Sequence, residues 1–241
     1  MRRSDCEPNR MSDGTVRLTD VAVVVFDLDD TLYPERQFAW SGFEAVSNWL
    51  RQRMDCPDDP ARRMRELFDG GYRGRVFNEL LAEWACTHAA DWLPQMIECY
   101  RNHTPVIRLH PDAQSALEKW QGRFQLSLIS DGPLTTQQNK VNALGLQSVF
   151  RPLVLTDQWG EYFRKPHRRA FEYVETQTGC GGSQCVYIGD NRLKDFLAPN
   201  QLGWRSVCVC RENGIYANAE APEGGKPEFQ IDSLIYLLFS Q

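Results

Sequence analysis

Five short, largely apolar stretches constrain this chain more than any other feature: residues 21–26, 124–129, 152–155, 185–188 and 206–210. Runs of this length, apolar on both faces, suit strands buried between helix layers in a parallel sheet. Four of the five are followed by helical patterns. One runs over 134–144 and stops at Gly145, and a second opens at Pro166 and aligns Ala170, Phe171 and Val174. A third covers 193–202 and ends at Gly203, and a fourth, 231–239, closes the sequence. Strand alternating with helix predicts a doubly wound, Rossmann-like parallel α/β sheet.

The gap between the first two strands breaks that rhythm. Ala39, Phe43, Val46 and Leu50 recur there at helical spacing, as do Phe77, Leu81, Trp84 and His88. Residues 61–68 and 92–100 read as two further helices. A direct crossover between parallel strands needs only about a dozen residues, and this gap is several times longer. The expected organisation is an α/β core over 16–34 and 104–241, a helical insert over 35–103, and a disordered tail over 1–15.

Composition narrows the partners. The 241 residues are 42% apolar and 24% charged, which supports a folded core and excludes wholesale disorder. A net charge of −5 is a poor footprint for nucleic acid, so no such partner is expected. The run 21–26 is far shorter than the ~20 apolar residues of a membrane helix. Residues 1–20 are polar and do not read as a secretory signal. The eight cysteines contain no Cys-x-x-Cys, and Cys208 and Cys210 would share one strand face without further ligands. Reduced thiols and a cytoplasmic location are the expectation.

In open α/β sheets the reactive groups gather beyond the carboxyl ends of the strands. After the first run come Asp27, Leu28, Asp29, Asp30 and Thr31, and after the second Ser130, Asp131 and Gly132. Lys165 and Pro166 lie beyond the third run, and Gly189, Asp190 and then Asp195 beyond the fourth. Crowded carboxylates disfavour one another's ionisation. A divalent cation relieves that cost, and hard oxygen donors select Mg²⁺. A phosphoryl group would add anionic oxygens for the metal, Lys165, the Ser130 hydroxyl and N–H groups near Asp131 to hold. In such a site Asp27 could attack phosphorus. Asp29 could protonate the departing oxygen and later deprotonate water, leaving its backbone carbonyl to face the metal.

These four ordered motifs, from Asp27-Leu28-Asp29-Asp30-Thr31-Leu32 to Gly189-Asp190 and Asp195, resemble those of the haloacid dehalogenase (HAD) superfamily. The likeness covers about residues 20–240 and is to the phosphoglycolate-phosphatase-like subfamily, whose helical cap lies between the first two motifs. The resemblance implies Asp27 as nucleophile and Asp29 as acid and base. It implies Mg²⁺ on Asp27, the Asp29 carbonyl and Asp190, and phosphate on Ser130, Asp131 and Lys165. Asp195 would orient Lys165 or a metal-bound water, although a helix-face carboxylate explains it almost as well. Dehalogenases usually lack an acidic residue two positions after the nucleophile, so Asp29 favours phosphate chemistry. The expected activity is Mg²⁺-dependent hydrolysis of a small-metabolite phosphomonoester through an aspartyl-phosphate. The alternatives are a phosphotransferase or mutase on a sugar phosphate, and a non-catalytic binding module of the same fold.

Other residues have plainer readings. His88 reads as packing, His103 and His110 as loop polar groups, and Arg62, Arg63 and Arg65 as a solvated helix face. Arg73 and Arg75, set among glycines, are candidates to reach a substrate anion. The stretch from Trp159 to Arg164 is unusually aromatic and basic, and His167-Arg168 departs from the family's pattern. Substrate and oligomeric state stay open.

Overall fold

In chain order the strands are β1 (Val16–Leu18), β2 (Val23–Phe26), β3 (Gln125–Ser130), β4 (Leu153–Leu155), β5 (Cys185–Gly189), β6 (Arg205–Val209), β7 (Phe229–Ile231) and β8 (Leu237–Phe239). The α-helices are α1 (Glu35–Arg51), α2 (Pro60–Asp69), α3 (Val76–Glu83), α4 (Ala89–Asn102), α5 (Pro111–Trp120), α6 (Leu134–Ala143), α7 (Arg169–Thr178) and α8 (Leu197–Gln201). This computed structural model describes residues 14–240. Most of the tail expected over 1–15, and Cys6 with it, lies outside the described residues.

Six strands form one sheet in the order β4-β3-β2-β5-β6-β7, every neighbouring pair parallel. The apolar runs explain why. Side chains alternate faces along a strand, so Val24 and Phe26 pack with α5, through Ala116, Leu117 and Trp120. Val23 and Val25 face the opposite layer, with Ala170, Phe171 and Val174 of α7. Both faces are dry, and each fully buried Val or Phe contributes about 1.5–3 kcal/mol. The predicted doubly wound sheet is the observed one.

The insert has a core of its own. Phe43, Val46 and Leu50 of α1 meet Met64 and Phe68 of α2, Leu80 of α3 and Met96 of α4. Proline at the start of α2 follows Asp59, whose side chain accepts from the Arg62 N–H at 2.8 Å. Close approach of α1 to α4 requires Gly42, where a Cβ would lie 2.4 Å from the Tyr100 ring.

Four expectations are corrected. Residues 231–239 are not a helix: β7 ends at Ile231, a 3₁₀ turn covers Leu234–Tyr236, and β8 follows. Ile231, Leu234 and Leu237 repeat every three residues and are all buried, which imitates a helical stripe. The stripe from Phe77 to His88 breaks at Ala85, whose φ is +46°, and His88 instead stacks on Trp92 at the start of α4. The helix expected from Pro166 begins at Arg169, and the one over 193–202 shortens to Leu197–Gln201. Arg75 pairs with Glu79 and Arg73 donates to the Ile215 carbonyl at 3.2 Å. Arg62, Arg63 and Arg65 do form an exposed face, ion-paired to Glu66, Glu83 and Glu44.

Candidate active site

Parallel register places the reactive residues side by side. Phe26 is level with Leu128 on one side and Ile188 on the other, so Asp27, Ser130 and Asp190 leave the same sheet edge. The Asp27 N–H donates to the Ile188 carbonyl at 2.8 Å, fixing where its side chain starts. Lys165 reaches in from the loop after β4. Its buried Nζ lies 2.5 Å from Asp27, 2.8 Å from Asp195 and 2.8 Å from the Tyr187 hydroxyl. Asp195 is fully buried, and its second oxygen accepts from the Asn191 N–H at 2.9 Å. It is not a helix-face carboxylate.

Positive charge is scarce here. Asp27, Asp190 and Asp195 each present an oxygen within 4.8 Å of the others, and Lys165 is the ammonium among them. Burial pushes the Asp27 carboxyl up to about 7 despite the pull of Lys165. Burial, with Asp195 and Asp27 close by, holds Asp190 well above the usual carboxylate range. Buried, oxygen-only and short of positive charge, this set fits a hard divalent cation.

Asp29 sits in a different environment. Its carboxylate accepts from Lys140 Nζ at 2.7 Å, from Gln137 Nε2 at 2.9 Å and from the Tyr33 hydroxyl. Burial alone would raise its pKa, but Lys140 and these donors hold it below the usual value. The Gln137 amide also reaches Ser130 Oγ at 2.6 Å and the Asp131 carbonyl at 2.7 Å, tying the first two motifs together. Asp131 turns inward: one oxygen accepts from Thr156 Oγ1 at 2.8 Å and the Lys165 N–H at 3.1 Å, the other from Lys194 Nζ at 2.8 Å.

All seven residues singled out from the sequence, Asp27, Asp29, Ser130, Asp131, Lys165, Asp190 and Asp195, thus join one connected cluster. Sequence reasoning missed Tyr33, Gln137, Lys140, Tyr187 and Lys194. Gln137 and Lys140 lie three apart on α6 and are almost fully buried, which the sequence around them does not announce. Asp30 is the joint of the site. It adopts φ +50°, and its carboxylate accepts the N–H groups of Glu35 at 2.8 Å and Ile215 at 2.7 Å. A cleft of about 820 Å³ lies to one side, between Asp30, Arg36, Asp69 and Arg211, and does not include Asp27 or Lys165.

The comparisons with known proteins agree with this architecture. The chain is 25% identical to a glyceraldehyde 3-phosphate phosphatase of Methanopyrus kandleri, over 88% of this chain and 93% of that protein. It is 22% identical to human N-acylneuraminate-9-phosphatase, over 91% of this chain and 93% of the relative. Among solved structures, the putative HAD-hydrolase YfnB of Bacillus subtilis, bound to magnesium, superposes with a TM-score of 0.68 at 19% identity. That match covers 89% of this chain and 96% of the other. No helix among the described residues is long and apolar enough to cross a membrane. Residues 24–209 match the profile of the haloacid dehalogenase-like hydrolases, and the chain belongs to that family.

Proposed function

We propose that this hydrolase is a magnesium-dependent phosphatase acting on a small phosphomonoester, a sugar phosphate or a close relative, through a phosphoaspartate at Asp27. One observation carries the reading: three buried carboxylates present oxygens within 4.8 Å of one another at the carboxyl edge of the sheet, and only two of them, Asp27 and Asp195, are paired with Lys165. Mg²⁺ would be held by Asp27, Asp190 and the Asp29 carbonyl, and when bound it supplies positive charge to the phosphoryl oxygens. The names of the phosphatase relatives support the same substrate class.

Each residue has a task in this scheme. Lys165, steadied by Asp195 and Tyr187, aligns the Asp27 carboxylate and, with Ser130, holds phosphate oxygens. An Asp27 oxygen bonds to phosphorus as the ester P–O bond breaks, and Asp29 gives its proton to the leaving oxygen. Water then attacks phosphorus, Asp29 takes up a proton, and the Asp27–phosphorus bond breaks to release phosphate. Asp29 as described is ionised, the state that activates water. A phosphate dianion brought beside it raises its proton affinity and prepares the acid half. The helical insert acts as a cap that excludes bulk water.

Replacing Asp27 by Asn tests the scheme. Phosphate release from p-nitrophenyl phosphate should fall about 10³-fold or more, with the far-UV CD spectrum retained. Chelator should silence the wild type, and added Mg²⁺ should restore it. Turnover persisting in D27N would overturn the nucleophile assignment.

A further inference from the structure

Cys208 and Cys210 take no part in the scheme above, although the sheet sets them side by side. Cys208 lies on β6, level with Gly189 of β5, and Cys210 comes directly after the strand ends. Residues two apart on a strand share a face, and here the two sulfurs lie 3.8 Å apart. Cys208 is buried and Cys210 half-buried. Arg192, in the loop after β5, donates to Cys210 Sγ at 3.0 Å. The same guanidinium is held in place by the carbonyls of Ala217 and Ala219, at 3.5 and 3.4 Å, and by Gln230 Oε1 at 3.3 Å. A guanidinium beside a thiol favours the thiolate, the form that reacts. Cys208 keeps its proton: the hydrogen bond with Cys210, and then burial, hold its thiol well above the usual range. A half-buried sulfur backed by a cation, with a second thiol in contact behind it, has the parts of a peroxide-reactive pair.

We propose that Cys208 and Cys210 are a reversible oxidation site, at which a hydroperoxide converts the two thiols into one intramolecular disulfide. Cys210 Sγ attacks a peroxide oxygen. The S–O bond forms as the O–O bond breaks, leaving a sulfenic acid and hydroxide, with sulfur oxidised and peroxide oxygen reduced. That step removes the charge on Cys210 that held the Cys208 proton. Cys208 Sγ then attacks the Cys210 sulfur and the S–S bond forms. The sulfenic hydroxyl leaves with the Cys208 proton as water. Strand residues two apart have Cα atoms about 6.6 Å apart, near the upper end of the range a disulfide spans. Such a bridge is readily reduced, so an external thiol restores the pair. This chemistry is independent of phosphate turnover.

The experiment exposes the folded, reduced protein to hydrogen peroxide, blocks the remaining thiols with iodoacetamide and weighs the tryptic peptides. Cleavage after Arg205 and Arg211 puts both cysteines in one peptide, 206–211. That peptide should lose two hydrogens, escape alkylation and regain both thiols with dithiothreitol. Its oxidation should run at least about tenfold faster than that of Cys56, Cys86 or Cys99, the half-buried thiols of the insert. C208S should stop at the sulfenic acid of Cys210, captured by dimedone, and C210S should leave Cys208 unoxidised. A peptide 206–211 that stays a dithiol, or is oxidised no faster than the cysteines of the insert, overturns the proposal. A disulfide from either residue to another cysteine overturns it too. So does C208S without a dimedone adduct, or C210S reacting as fast as wild type, where far-UV CD shows the variant folded. The wild-type peptide decides the matter even should a variant fail to fold.

Discussion

Four lysine–aspartate pairs give the site its internal order: Lys165 with Asp27 and with Asp195, Lys140 with Asp29, and Lys194 with Asp131. Removing one member of a buried pair leaves the other charged and unmatched, which costs more than the pair contributes when intact. Within the site, a tight steric demand falls on Gly189. A Cβ there would sit 2.5 Å from an Asp195 oxygen and 3.1 Å from the Tyr187 ring. Asp195 cannot yield without letting go of Lys165. Gly189→Ala is therefore expected to cost about 1–3 kcal/mol of stability and to lower kcat at least about tenfold, read from urea melts and steady-state kinetics. The aspartates and Lys165 were legible in the sequence because apolar strands announce where the reactive edge begins. Lys140 and Lys194 were not, because nothing in their neighbours distinguishes a lysine turned inward from one in solvent.

Among the elements, the short segment from Asp27 to Pro34 does the most joining. Asp30 binds the first turn of α1 and the loop at Ile215 through one carboxylate, and Arg211 donates to the Thr31 carbonyl at 2.8 Å. Asp30→Ala strands two backbone N–H groups and puts a methyl side chain at φ +50°. A loss of about 2–4 kcal/mol is expected, against a smaller one for D30N, measured as shifts in the denaturant midpoint. The gap between β2 and β3 is too long for a single crossover, and α1 to α4 occupy it. The sequence misled at 231–239, where burial every third residue comes from strand, turn and strand. Periodicity reports which residues are buried, and the backbone path between them is set by partners far away, here β6 and β1.

For the molecule as a whole, His110 ties stability to pH. It precedes α5, its backbone N–H donates to the Leu32 carbonyl at 2.9 Å, and its ring Nε2 is buried with no hydrogen-bond partner among the described residues. Burial, and then Arg211, lower its pKa to about 4. The unfolded chain takes up this proton near pH 6.5 and the folded chain only near 4. The contribution is thus complete above 6.5 and lost as pH falls between those values. With the ring only partly enclosed, about 1–2 kcal/mol is expected over that window. Urea midpoints of wild type and H110N, compared at pH 7 and pH 5, should show the wild type losing more.

Strand β1 lies alongside β8, with Val16 level with Leu237 and Leu18 with Phe239. Residues at opposite ends of the sequence are thereby neighbours, and the seam between them runs through buried Val16, Leu18 and Leu237. Severing that pairing would uncover Val16, Leu18 and Leu237 together, so Leu238→Pro is expected to lower the urea midpoint although it lies far from the catalytic edge.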